Sequence, residues 1–130
     1  MPDDTKTEEL LEINQRLLDS IAEGDWETYA ALCDPSLSCF EPETRGHLVE
    51  GMEFHHFYFD LGASAGPQNT TVSSPNVRII GDAAIISYVR LSQRLNAEGK
   101  PVTSCSEETR VWLQTESGWR HVHVHRSVVS

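Results

Sequence analysis

From residue 70 onward the chain consists of four stretches rich in β-branched and aromatic residues, at 70–80, 83–95, 102–115 and 119–128. Gly81-Asp82, the segment 96–101 around Ala97-Glu98-Gly99, and the segment 116–118 with Ser117-Gly118 join them. Connections this short cannot carry a crossover, so neighbouring stretches must run antiparallel, as a meander of long strands. Ser117-Gly118 suits a tight hairpin turn, and Pro75 predicts a break or bulge in the first strand.

The half before the meander reads differently. Across residues 5–23, Leu10, Ile13 (or its neighbour Leu17), Leu18 and Ile21 recur at three- and four-residue steps, with Glu8, Glu12, Arg16 and Asp19 on much of the remaining face. Gly24 ends this helix in the C′ position, and Asp25 caps a second one over residues 26–33. Asp34-Pro35 closes that helix, a short strand follows at 37–40, and Met52, Phe54, Phe57, Tyr58 and Leu61 mark a third helix. Helices first and long strands afterwards define an α+β architecture, with the helices on one face of a curved antiparallel sheet. The whole of residues 1–130 forms one domain.

Charge excludes one class of partner. A formal net charge of −10 is the wrong sign for nucleic acid, and it makes any cluster of arginines conspicuous. No run approaches the roughly eighteen apolar residues of a membrane span, and the expected location is the cytoplasm, with no membrane partner. Cys33, Cys39 and Cys105 are three, widely spaced and without a CxxC pair, so they read as reduced thiols rather than a disulfide frame or a zinc site. No metal and no cofactor is expected.

The strand faces carry the functional signal. On the strand at 83–95, Ile85, Val89 and Leu91 lie on one face and Ala84, Ile86, Tyr88 and Arg90 on the other. Both faces are mainly apolar, whereas a half-solvated strand alternates cleanly. The helices can cover one face, so the other is expected to meet a further copy of the chain. Arg90, Arg110 and Arg126 are each the charged exception on a largely apolar face. A buried guanidinium needs an acidic partner or a bound anion. One possibility is structural pairing of Arg110 with Glu107, Glu108, Glu41 or Glu43; the other is a cationic pocket that grips a carboxylate. His121, His123 and His125 alternate along the last strand and are expected on one face, about 7 Å apart.

Several pieces together resemble a known family. These are Cys33-Asp34-Pro35, Phe40-Glu41-Pro42-Glu43, Leu48-Val49-Glu50-Gly51-Met52, Phe54-His55, Tyr88 with Arg90-Leu91, Ser106-Glu107-Glu108-Thr109-Arg110-Val111-Trp112, and His125-Arg126-Ser127. They look like the association (hub) domain of calcium/calmodulin-dependent protein kinase II, from about Leu10 to Ser127. The resemblance implies a cone of the nuclear transport factor 2 (NTF2) type and self-assembly into closed rings. It also implies a pocket for small carboxylates of the 4-hydroxybutyrate kind, lined at the positions of His55, Arg90, Arg110 and Arg126. The sequence carries no glycine-rich nucleotide loop, HRD or DFG motif, and no basic amphipathic calmodulin-target helix. Kinase activity is therefore not expected of this chain, which reads as a free-standing hub-like protein or a hub excised from a kinase.

The rival class is an enzyme. The same cone houses isomerases, dehydratases and cyclases, in which a pocket carboxylate moves a proton beside a carbonyl. Glu41-Pro42 is similar to the acid-proline pair of the ketosteroid-isomerase branch, with Tyr88 as a possible donor. Three arginines nearby suit an anion site better than a proton shuttle, so the non-catalytic hub is the favoured expectation.

Overall fold

A computed structural model describes residues 2–63 and 66–129. Helix α1 runs over Pro2–Glu23 and buries Leu10, Leu17 and Leu18, with Ile13 and Ile21 half-buried beside them. It stops at Gly24, whose φ of +69° is easy only for glycine; a Cβ there would also sit 3.1 Å from the backbone nitrogen of Ala63. Asp25 then accepts from the Thr28 amide and caps helix α2, Trp26–Leu32, which points Tyr29 and Leu32 into the core. Helix α3, Glu53–Asp60, is the third expected helix, and it buries His55.

The strands are β1 (Cys33–Phe40), β2 (Val49–Glu50), β3 (Asn69–Ile80), β4 (Ala83–Leu95), β5 (Pro101–Thr115) and β6 (Gly118–Val128). They form one sheet in the order β2-β1-β6-β5-β4-β3. The four long strands are the antiparallel meander, with ends within a residue of those expected. The β3–β4 register slips between Ser73 and Asn76, around Pro75, and Ser74 takes a left-handed φ of 52°.

Besides the short strand β2, two features were not in the sequence reading. Strand β1 starts four residues earlier than expected and pairs parallel with β6, so one ladder of the sheet is not antiparallel. The β5–β6 register also shifts between Val111 and Trp112, placing a bulge between His121 and His123. The three histidines therefore do not share a face. Trp119, His121 and Val124 point into the core, whereas His123 and His125 lie outside, beside Phe40. One extra residue inverts every side chain beyond it, because the side-chain period of a strand is two.

All three helices contribute to the same inner layer. Leu10, Leu17, Leu18, Tyr29 and Leu32 pack with Ala84, Ile86, Tyr88, Trp112 and Trp119, and Met52 and Phe59 of the α3 segment pack against them. The inner residues of β4 are those expected, ending at Arg90 where the layer opens. Among the described residues, no helix is long and apolar enough to cross a membrane.

Candidate functional site

The inner layer runs out of apolar side chains at one end of the sheet, and there the charged residues converge. Strand β5 supplies Glu108 and Arg110, β4 supplies Tyr88 and Arg90, β6 supplies Arg126, and the 3-10 turn that follows β1 supplies Glu41 and Glu43. Helices α2 and α3 add Tyr29, His55, Tyr58 and Phe59. A cavity of about 310 Å³ opens among them, and its walls include all four expected residues: His55, Arg90, Arg110 and Arg126.

Glu108 is the hub of the charge network. Only 2% of it is exposed, and it accepts from Tyr88 Oη at 2.6 Å, Arg90 Nη1 at 2.8 Å, and Arg110 Nε and Nη2 at 3.1 and 3.0 Å. Burial alone would raise its pKa. The charges of Arg110 and then Arg90, with the Tyr88 hydroxyl bond, outweigh that and hold it at about 2. Arg110 is also 2% exposed, and its Nε reaches Tyr88 Oη at 2.9 Å as well. Its Nη1 lies 3.3 Å from His121 Nε2.

A guanidinium can only donate, so His121 accepts at Nε2 and carries its proton on Nδ1, which faces Cys33 Sγ at 3.5 Å. Burial, and then the Arg110 charge, drive the His121 pKa well below its ordinary value, so the ring is neutral. Arg126 is held differently. Its Nη2 donates to both oxygens of Glu43, at 2.6 and 2.8 Å, and stands 3.7 Å from Glu41. The bond of Arg126 is to the exposed Glu43, and that of Arg110 to the buried Glu108.

Structural pairing and a shared pocket are thus both present: each arginine has a carboxylate partner, and all three border one cavity. Their remaining donors differ. Among the described residues, Arg90 Nη2 and Arg126 Nε and Nη1 make no hydrogen bond, whereas every nitrogen of the Arg110 guanidinium is engaged. His55 is 6% exposed, with Nδ1 3.4 Å from Tyr29 Oη and Nε2 without a partner. Burial lowers its pKa, so it too is a neutral ring at physiological pH.

Of the two residues offered for proton transfer, Glu41 lines the cavity, while the Tyr88 hydroxyl gives its proton to Glu108 and accepts from Arg110. Sequence reasoning did not single out Tyr29, and it read Cys39 only as a reduced thiol. Each follows an ordinary core pattern, and only the packing of α2 and β1 against α3 brings them to His55.

A six-stranded curved sheet, with helices on one face and a pocket at its open end, defines the NTF2-like class. Solved structures of that class superpose well on it: an NTF2-like superfamily protein from Salmonella enterica gives a TM-score of 0.81 at 23% identity, covering 98% of this chain and 94% of the other. At that identity the likeness concerns the fold alone. The particular family follows from closer matches. Residues 6–130 match the family described as the calcium/calmodulin-dependent protein kinase II association domain. The chain is 46% identical over 125 residues to the type II kinase subunit delta of Oryctolagus cuniculus, covering 94% of this chain and 24% of that protein. The solved association domain of the C. elegans kinase gives a TM-score of 0.90 at 48% identity, covering 95% and 96% of the two chains. The hub homology domain of Chlamydomonas reinhardtii gives 0.89 at 50% identity, covering 96% and 99%. The chain belongs to the calcium/calmodulin-dependent protein kinase II association-domain family.

Proposed function

We propose that this chain is a non-catalytic association module that assembles with copies of itself through the outer face of its sheet. It takes a small carboxylate in the arginine-lined pocket. One observation carries the assembly reading. Outer residues Ile85, Val89, Leu91 and Val111 are only half-buried, and the helices all pack on the opposite face. Ile85 and Val111 stand directly opposite each other on β4 and β5, forming an apolar strip in the middle of that face. Exposed Ile80 and Leu113 extend it. A contiguous apolar face of this kind is a docking surface in a soluble chain. The family membership, with the name "association domain", supports the same reading. The mass in solution tests it: light scattering should give a multiple of the 14.6 kDa chain. A monomer at working concentration would end the proposal.

Ligand binding is the finer part of the reading. Arg126 and Arg90 present unengaged N–H groups to the cavity, His55 borders it, and Arg110 acts by fixing Glu108 and hence Arg90. Three arginines face three carboxylates (Glu41, Glu43 and Glu108), so there is no large cationic surplus and affinity should be modest. Desolvation of the anion offsets most of the bidentate gain, which places affinity on the order of micromolar to millimolar. Calorimetric titration with acetate, 4-hydroxybutyrate and a longer aromatic acid is the direct test.

A further inference from the structure

Beside the arginines, two residues of the cavity wall, Glu41 and His55, meet a buried thiol. Cys39 and Glu41 are two residues apart at the end of β1, and His55 stands opposite them on α3. One donor atom from each, a thiol sulfur, a carboxylate oxygen and an imidazole nitrogen, lies within 4.8 Å of the other two. Cys39 is fully buried and His55 nearly so. His55 Nε2 has no hydrogen-bond partner, and an orphaned buried nitrogen is costly unless something occupies it.

We propose that Cys39, Glu41 and His55 form a binding site for a borderline divalent cation of the zinc type. The donor set argues for that class: one sulfur, one nitrogen and one oxygen suit Zn²⁺ or Co²⁺, and an all-oxygen metal such as Mg²⁺ would not choose a cysteine. Three protein ligands leave the fourth tetrahedral position open. Tyr29 completes the arrangement. With Nε2 on the metal, the Nδ1 proton points to Tyr29 Oη 3.4 Å away, which sets the tautomer and the ring orientation. The donors must close in by roughly 1 Å from their present spacing to reach usual zinc–ligand distances, a movement within side-chain rotation.

Charge permits the cation despite the arginines. The three guanidiniums are matched by Glu41, Glu43 and Glu108, so the cavity is close to neutral before any metal enters. Coordination takes Cys39 as the thiolate, and one proton per chain passes to solvent. The bound cation would leave the cavity with one surplus positive charge, which an anion in the open position cancels. The site does not depend on the carboxylate reading, since the metal can be titrated with no carboxylate present.

The test is titration of the metal-free protein with Co²⁺ in a non-coordinating buffer. The expected result is one Co²⁺ per chain, with near-ultraviolet thiolate-to-cobalt charge transfer that Zn²⁺ displaces. Cys39→Ser should remove the charge-transfer band, His55→Gln should weaken binding at least tenfold, and Cys105→Ser should change nothing. X-ray absorption on the wild-type cobalt protein provides a readout that needs no variant, and it should find one sulfur in the metal shell. A wild type without the band, a shell without sulfur, or a band that survives in folded Cys39→Ser overturns the proposal.

Discussion

Glu108 and Arg110, two residues apart on one face of β5, bond to each other with both side chains almost completely removed from water. Neither could occupy its position alone, because an uncompensated charge there would cost far more than the pair returns. The pair also fixes Tyr88 and Arg90, so a single carboxylate organises one whole wall of the pocket.

Removing Arg110 should therefore damage the fold before it damages binding. Arg110→Met leaves the Glu108 carboxylate with Arg90 as its one cationic partner, beside the Tyr88 hydroxyl, and the expected loss is about 3–5 kcal/mol. Arg110→Lys keeps a charge but not the planar fork that serves Glu108, Tyr88 and His121 together, so it should lose part of that. Urea denaturation of both variants measures the difference. Wild-type midpoints for both would show that the network contributes little.

Acid should destabilise the protein through several groups that act in the same direction, Glu108 and His121 foremost. The folded pKa of Glu108 is about 2 against an ordinary 4.5, so its contribution is complete above 4.5 and is lost as pH falls toward 2. That displacement is worth on the order of 3 kcal/mol. His121 is neutral when folded and takes up a proton when unfolded, so its burial starts to cost stability as pH drops below its ordinary 6.5. Stability should fall from about pH 6.5 downward and more steeply below 4.5. Replacing His121 with Gln should flatten the upper part of that curve in a denaturant series run at successive pH values.

On the outer face, Val89→Asp or Leu91→Asp puts a charge where the proposed interface is apolar. Both side chains point away from the core, so the subunit should keep its far-ultraviolet circular dichroism while light scattering reports smaller species. Native mass in both variants would place the interface elsewhere.

In the pocket, Glu43 competes with any ligand for Arg126, since it already accepts from Nη2 with both oxygens. Glu43→Gln should tighten carboxylate binding several-fold, and Arg126→Ala should weaken it at least tenfold, with little change in thermal stability for either. A Glu43→Gln variant that binds more weakly would mean that Glu43 orients Arg126 rather than blocks it.

Much of this architecture was legible because local chemistry and global fold agree. Gly81-Asp82 and Ser117-Gly118 mark turns that the long strands need, and Asp25 caps α2 as its type predicts. Arg90 and Arg110 were placed on the correct faces, because β4 and β5 pair with each other without a slip along their whole length. His123 and His125 were not, since the bulge after His121 has no glycine or proline to announce it. Asn14 was also missed: it is a polar residue on the buried stripe of α1, there to accept from Trp112 Nε1 at 3.1 Å. A hydrophobic period cannot show a partner 98 residues away. The pairing of β1 with β6 escaped for the same reason.

That last pairing has a consequence for how the protein is made. Cys33 and His121 face each other across 88 residues of sequence, so β1 leaves the ribosome long before its neighbour exists. The meander can zip up hairpin by hairpin, but β1 has nowhere to dock until β6 has been synthesised. Glu41 follows β1 and Arg126 lies on β6, so the cavity they border cannot exist on any nascent chain that lacks β6.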